Sequence, residues 1–84
     1  MERELSYGEK SVGLTFNPGG NQDVDKVKKL YAEIIDICND SRANIGESTS
    51  REDADRLREK ARFFSIAITE AQTAQMWAVK AITK

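Results

Sequence analysis

From about Arg51 to its C-terminus the chain contains neither glycine nor proline. So long a stretch without a helix breaker reads as one continuous helix. Its apolar residues fall into two seams. Leu57, Ala61, Phe64, Ile68, Ala71, Ala78 and Ile82 form one, with only Gln75 polar in the series; Phe63, Ala67, Ala74, Trp77 and Ala81 form the other, interrupted by Glu70. A single partner helix in a hairpin covers only one seam. The long helix therefore calls for a helix upstream and for something further to cover its other side.

The upstream partner is legible between about Asp23 and Arg42. There Val24, Val27, Leu30, Tyr31, Ile34, Ile35, Ile37 and Cys38 recur at threes and fours, the spacing of an amphipathic helix. Asn21 and Asp23 are good capping residues for its start. Residues Ala43 to Thr49 form a loop punctuated by Gly46. Ser50 is the expected N-cap of the long helix, with Asp53 where a capping box usually has Glu or Gln. Ahead of the first helix, Val12, Leu14 and Phe16 alternate with Gly13 and Thr15, as in an extended segment. The expected fold is thus all-α: one domain over 1–84, with an extended N-terminal ligand-binding segment (1–22), a helix over 23–42 and a longer antiparallel helix over 50–83.

At 1.5 Å per residue the two helices span about 30 and about 50 Å. The second is expected to overhang the first, leaving Ala71 to Ile82, with Met76 and Trp77, beyond its intrachain partner. An apolar patch of that kind marks an interface, so a homo-oligomer is expected. The alternative is that the N-terminal segment folds back over the patch. Size supports assembly: 84 residues bury a modest core, a lone Cys38 permits no internal disulfide, and with no histidine a structural zinc site has too few ligands.

Composition also narrows the chemistry. No histidine offers acid–base catalysis near neutral pH, Cys38 falls on the apolar face of the first helix, and no paired carboxylates suggest a cleft, so a binder is expected rather than an enzyme. No cofactor or metal is implied. Thirteen basic against fourteen acidic residues argue against general binding to long nucleic acid, and Lys26, Lys28, Lys29, Arg56, Arg58, Lys60 and Arg62 read as solvated helix faces. The charged start Met1-Glu2-Arg3-Glu4-Leu5 and the lack of a run of about 20 apolar residues imply no membrane span and a cytosolic chain.

The one elaborate loop is Phe16-Asn17-Pro18-Gly19-Gly20-Asn21, which spends far more than a cap on the start of a helix. Helix N-termini favour anions, and glycines let backbone amides approach them closely. Asn17 and Asn21 can read a base edge or cap the helix, Lys26 lies one turn inside, and Tyr7 can stack on a base.

The run Tyr7-Gly8-Glu9-Lys10, followed by Val12-Gly13-Leu14-Thr15-Phe16-Asn17-Pro18-Gly19-Gly20-Asn21, and the distal Ala71-Gln72-Thr73-Ala74-Gln75-Met76-Trp77-Ala78-Val79-Lys80-Ala81 resemble the small bacteriophage anti-CBASS sponge proteins. These share a helical-hairpin domain with the sponges that defeat Thoeris. The resemblance covers nearly the whole chain. It implies a non-enzymatic sponge that sequesters cyclic dinucleotides, and in some members cyclic trinucleotides, in the host cytoplasm, thereby blocking CBASS immunity. It further implies a compact homohexamer with ligand pockets between subunits. A tyrosine matching Tyr7 stacks on the ligand, and residues matching Gly20 to Lys26 hold its phosphates. Gln22 stands where the family pattern suggests a basic residue, which leaves Lys26 as the nearest phosphate cation. Arg62 matches a contact in a second pocket suited to trinucleotides. The competing reading is a structural or protein-interaction helical module without nucleotide binding.

Overall fold

The computed structural model describes residues 3–84; Met1 and Glu2, at the head of the expected 1–22 segment, lie outside the described residues. The chain forms three helices, α1 (Tyr7–Ser11), α2 (Gln22–Ala43) and α3 (Arg51–Ile82). Asn21 caps α2, its side chain accepting from the amides of Asp23 and Val24, and acids at 23 and 25 occupy the positive end of the helix. Ser50 caps α3 by accepting from the Asp53 amide, and Asp53 reaches back to accept from the Thr49 amide at 3.0 Å. Asp53 thus does the reciprocal work that Glu or Gln does in the usual box, shifted by one residue.

α2 and α3 pack as an antiparallel hairpin. Val12, Ala32, Ile35, Ile68 and Ala71 make the core, with Leu14, Tyr31 and Cys38 packed against it. The two seams of α3 part as the periodicity demands. Ile68, Ala71 and Gln75 of the first are buried and Leu57, Ala61, Phe64, Ala78 and Ile82 half-buried, whereas Phe63 and Trp77 of the second are 57% and 65% exposed. α2 also carries an uncovered stripe, Leu30, Ile34 and Ile37.

Two expectations are corrected. The N-terminal segment is not extended: it forms α1 and a turn. Ser6 and Glu9 make a complete capping box that starts a helix at Tyr7. The chain then winds on through local bonds, Val12 to Gly8 at 3.1 Å, Leu14 to Glu9 at 3.0 Å and Phe16 to Gly13 at 2.9 Å, with Gly13 in the left-handed region at φ 62. A lone strand has no partner for its ladder, and helical bonds satisfy the same groups locally. The alternation of Val12 and Leu14 instead reflects two side chains that both reach the core from this winding turn.

The overhang is at the other end of α3. Arg42, near the end of α2, donates to Ser65 Oγ at 3.0 Å, and Val24, near its start, lines the same cavity as Val79. The C-terminal half of α3 therefore lies along α2, and the turns before about Ala61 meet only its end, sharing a groove with Arg42 and with Ile45, Gly46 and Ser48 of the returning loop. Met76 and Trp77 are exposed because of the face they occupy, not because their turn lacks a partner.

The result is a slab of 52 × 33 × 12 Å with a radius of gyration of 15.8 Å. A compact chain of this length has a radius near 12 Å, by the scaling of about 2.2·N^0.38.

Candidate functional site

The loop from Phe16 to Asn21 closes on itself. The Gly20 amide donates to Asn17 O at 3.0 Å, and Gly20 takes the left-handed φ of 61 that the turn requires. The Asn17 side chain spans the turn: its amide donates to Asn21 O at 2.8 Å and its Oδ1 accepts from the Asn21 amide at 3.2 Å. Asn21 Oδ1 in turn accepts from the Asp23 and Val24 amides. Those two amides at the helix start are thus already bonded within the protein, and Asn21 acts as the cap.

The side chain that holds the loop from below is Lys28. It is 5% exposed, and its Nζ donates to Gly13 O at 2.9 Å and Phe16 O at 2.5 Å. The ammonium also stands 5.6 Å from the centroid of the Phe16 ring. Among the described residues no carboxylate lies within ion-pair distance of it. Beside it opens a cavity of ≈ 370 Å³, walled by the loop, by Val24 and Lys28 of α2, and by Val79 and Thr83 at the end of α3.

Of the residues singled out in the sequence, Phe16, Asn17, Gly19 and Asn21 line this cavity together. Gly20 shapes the turn, while Gln22 and Lys26 are exposed at the start of α2 and do not line it. Tyr7, 46% exposed on α1, is also outside the lining. α1 is tied to α2 further along: Asp36 accepts from Ser6 Oγ and from the Gly8 amide, both at 2.7 Å. Lys28 and Asp36 are eight residues apart on α2, or about 12 Å along the axis. Arg62 lies elsewhere again. It pairs with Glu59 at 2.5 Å, sits 5.1 Å over the Phe63 ring, and lines a separate groove of ≈ 250 Å³ with Ser65, Ile66, Thr69 and Glu70. Hydrogen bonding from Arg62 holds the Glu59 carboxyl below its ordinary pKa.

Lys28, Asp36, Val79 and Thr83 escape the sequence reading. A signal for Lys28 was present: it falls in the stripe Val24, Lys28, Ala32, Ile35, all buried, whose spacing of fours and threes is that of the packed face. The expectation of a solvated face at Lys26, Lys28 and Lys29 is thus corrected at Lys28, which is buried while both neighbours are exposed.

A family profile described as Acb2/Tad1, hairpin domain, matches residues 9–83. The chain belongs to the Acb2/Tad1 hairpin-domain family. Comparison with curated proteins and with solved structures returned no match. Membership carries a sponge-type role in phage anti-defence. The match spans the loop, the cavity and both long helices, and it leaves out Tyr7 by two residues. No described helix is long and apolar enough to cross a membrane.

Proposed function

We propose that the chain is the subunit of a non-enzymatic sponge that binds cyclic oligonucleotide messengers, cyclic dinucleotides first, and thereby keeps them from a host CBASS effector in the cytoplasm. The cavity between the Phe16–Asn21 loop and the end of α3 carries this reading, because its wall combines backbone, two asparagines, an aromatic ring and a buried cation in a chain of this family. Bases need flat faces and amide edges, phosphates need donors, and these are the groups assembled there. Gly20, Gln22 and Lys26, exposed and next in sequence to residues that line the cavity, belong to its rim in this reading. Tyr7 supplies the stacking face from a neighbouring subunit, since in its own chain it stands beside Asp36 rather than beside the cavity. A homohexamer provides such neighbours, and the uncovered stripes on α2 and α3 supply the contacts. The Arg62 groove is the candidate for a second, trinucleotide pocket.

A sponge needs affinity without turnover, and at high copy number it lowers the free messenger by mass action. Calorimetric titration with cyclic di-AMP, cyclic di-GMP and cyclic tri-AMP tests the binding. Removal of excess ligand, heat denaturation and chromatography of the supernatant then tests its fate. Intact cyclic nucleotide is expected; linear product refutes the sponge. Absence of heat and of any thermal shift with all three ligands favours the protein-interaction module instead.

A further inference from the structure

We infer that Thr83 reads the base of the ligand: its hydroxyl oxygen accepts a hydrogen bond from the 6-amino group of an adenine held in the cavity. The inference rests on the cyclic-nucleotide reading and names the residue that decides which base is preferred. The asparagines of the loop are largely committed to its shape. Both ends of the Asn17 amide are bonded to the Asn21 backbone, and Asn21 Oδ1 accepts from the Asp23 and Val24 amides. Of their amide atoms only Asn21 Nδ2, a donor, makes no bond among the described residues. The other polar side chain at the mouth is Thr83, which lines the cavity from the end of α3 and is exposed there. Its Oγ1 donates to Val79 O at 2.8 Å, with Lys80 O more distant at 3.5 Å. A hydroxyl has one hydrogen and two lone pairs. With its hydrogen turned back onto the helix, Thr83 offers the cavity an acceptor and no donor.

The end of α3 favours the same partner. A helix C-terminus carries partial negative charge, about half an elementary charge. Lys80, the basic residue of that last turn, does not line the cavity: its ammonium stands 5.3 Å from the centroid of the Trp77 ring, in a groove with Thr73 and Met76. The Thr83 corner is therefore a place for a donor, while the loop side offers one of its own in Asn21 Nδ2. An acceptor on one wall and a donor on another match the edge of adenine, which sets its amino donor beside a ring-nitrogen acceptor. Guanine presents two acceptors, N7 and O6, along the same edge and would set its oxygen against the Thr83 lone pairs. The cavity thus discriminates between purines through a residue outside the loop.

The test compares cyclic di-AMP with the analogue that lacks the 6-amino groups, purine replacing adenine, by calorimetric titration of the full chain. The parent is expected to prefer the amino compound by roughly threefold to thirtyfold, the scale of a neutral hydrogen bond whose acceptor is otherwise left unpaired. In Thr83→Val, which keeps the branched shape and removes the hydroxyl, that preference shrinks to about twofold or less, and in Thr83→Ser it persists. Thr73→Val is the control: its hydroxyl likewise donates back one turn, to Thr69 O at 3.1 Å, but it lines the Trp77 groove, and the preference is unaltered. A parent that binds both compounds equally, or a Thr83→Val that keeps the full preference, overturns the assignment while leaving the sponge intact. So does a Thr83→Val that weakens both compounds by the same factor, as loss of a helix cap would, and so does a parent that binds cyclic di-GMP but neither of these. A parent that binds no cyclic nucleotide overturns both.

Discussion

Three glycines show how differently one residue type is constrained in this chain. A Cβ on Gly8 meets the Ala32 carbonyl oxygen at 2.1 Å and carbon at 2.9 Å, both backbone, so neither yields without moving α1 off α2. Gly8→Ala is expected to cost about 2 kcal/mol or more, read as a fall in the urea midpoint. Gly20 has open space around it but a φ of 61, so Gly20→Ala costs about 1 kcal/mol from backbone strain alone. Gly19 has neither restriction, and Gly19→Ala stays within about 0.5 kcal/mol of the parent. Equal losses at all three positions would contradict these environments. The sequence marked Gly19 and Gly20 together, as a close-approach pair. It does not separate the glycine that makes the turn from the one that lines the cavity, because φ is a property of the closed loop. Lys28 illustrates the same limit. Its register on the packed stripe is readable, but its two carbonyl partners come from a turn that the alternating pattern disguised as a strand.

At the scale of elements, α2 and α3 were legible because each buries a continuous seam, and seams are written as periodicity. α1 was not: five residues are too few to show a period and too few to hold as an isolated helix. It persists through the Ser6–Glu9 capping box and the Asp36 carboxylate that accepts from both Ser6 and Gly8. The box itself was readable as Ser-x-x-Glu. Hydrogen bonds from the Arg3 guanidinium, at 2.7 and 2.6 Å, and from the Ser6 amide pull the Glu9 carboxyl from 4.5 to about 2. A carboxyl whose pKa is lowered on folding adds stability above its unfolded value and loses that contribution as pH falls through the folded one. The α1 cap is therefore intact above about pH 4.5 and fails between there and about pH 2. Protection from amide exchange at Glu9, Lys10 and Val12, taken relative to the intrinsic rate at each pH, should fall across that window before that of the α2 and α3 core amides. Glu9→Gln removes this pH dependence while its side-chain oxygen still accepts from the Ser6 amide, so protection at these amides becomes lower but flat across the window; an unchanged acid profile in that variant would place the sensitivity elsewhere.

At the scale of the molecule, the chain exposes 6325 Å², against about 5,000 Å² expected of a compact monomer of 9.4 kDa. The excess is comparable to the surface that a subunit gives up to neighbours, about 800 Å² for each standard contact. Apolar side chains are uncovered at Leu30, Ile34 and Ile37 on α2 and at Phe63, Ile66, Met76 and Trp77 on α3. None of these belongs to the buried core, so charge placed there acts on association rather than on the hairpin. Sedimentation of the parent at micromolar concentration is expected to give a multiple of 9.4 kDa, and Ile34→Glu or Trp77→Glu to lower that mass with helical circular dichroism retained. A parent that sediments as a 9.4 kDa monomer, or variants that lose helicity with mass, would contradict it. Assembly and ligand binding are then linked. If Tyr7 of one subunit closes the cavity of another, cyclic di-AMP binds the assembled state more tightly than the separated chain and must shift the association equilibrium by the same factor. The dissociation midpoint on dilution moves to lower protein concentration when the ligand is present, and Tyr7→Ala weakens that shift without changing the midpoint in its absence. A midpoint indifferent to ligand would mean that each cavity is complete within one chain, and that Tyr7 serves the interface rather than the pocket.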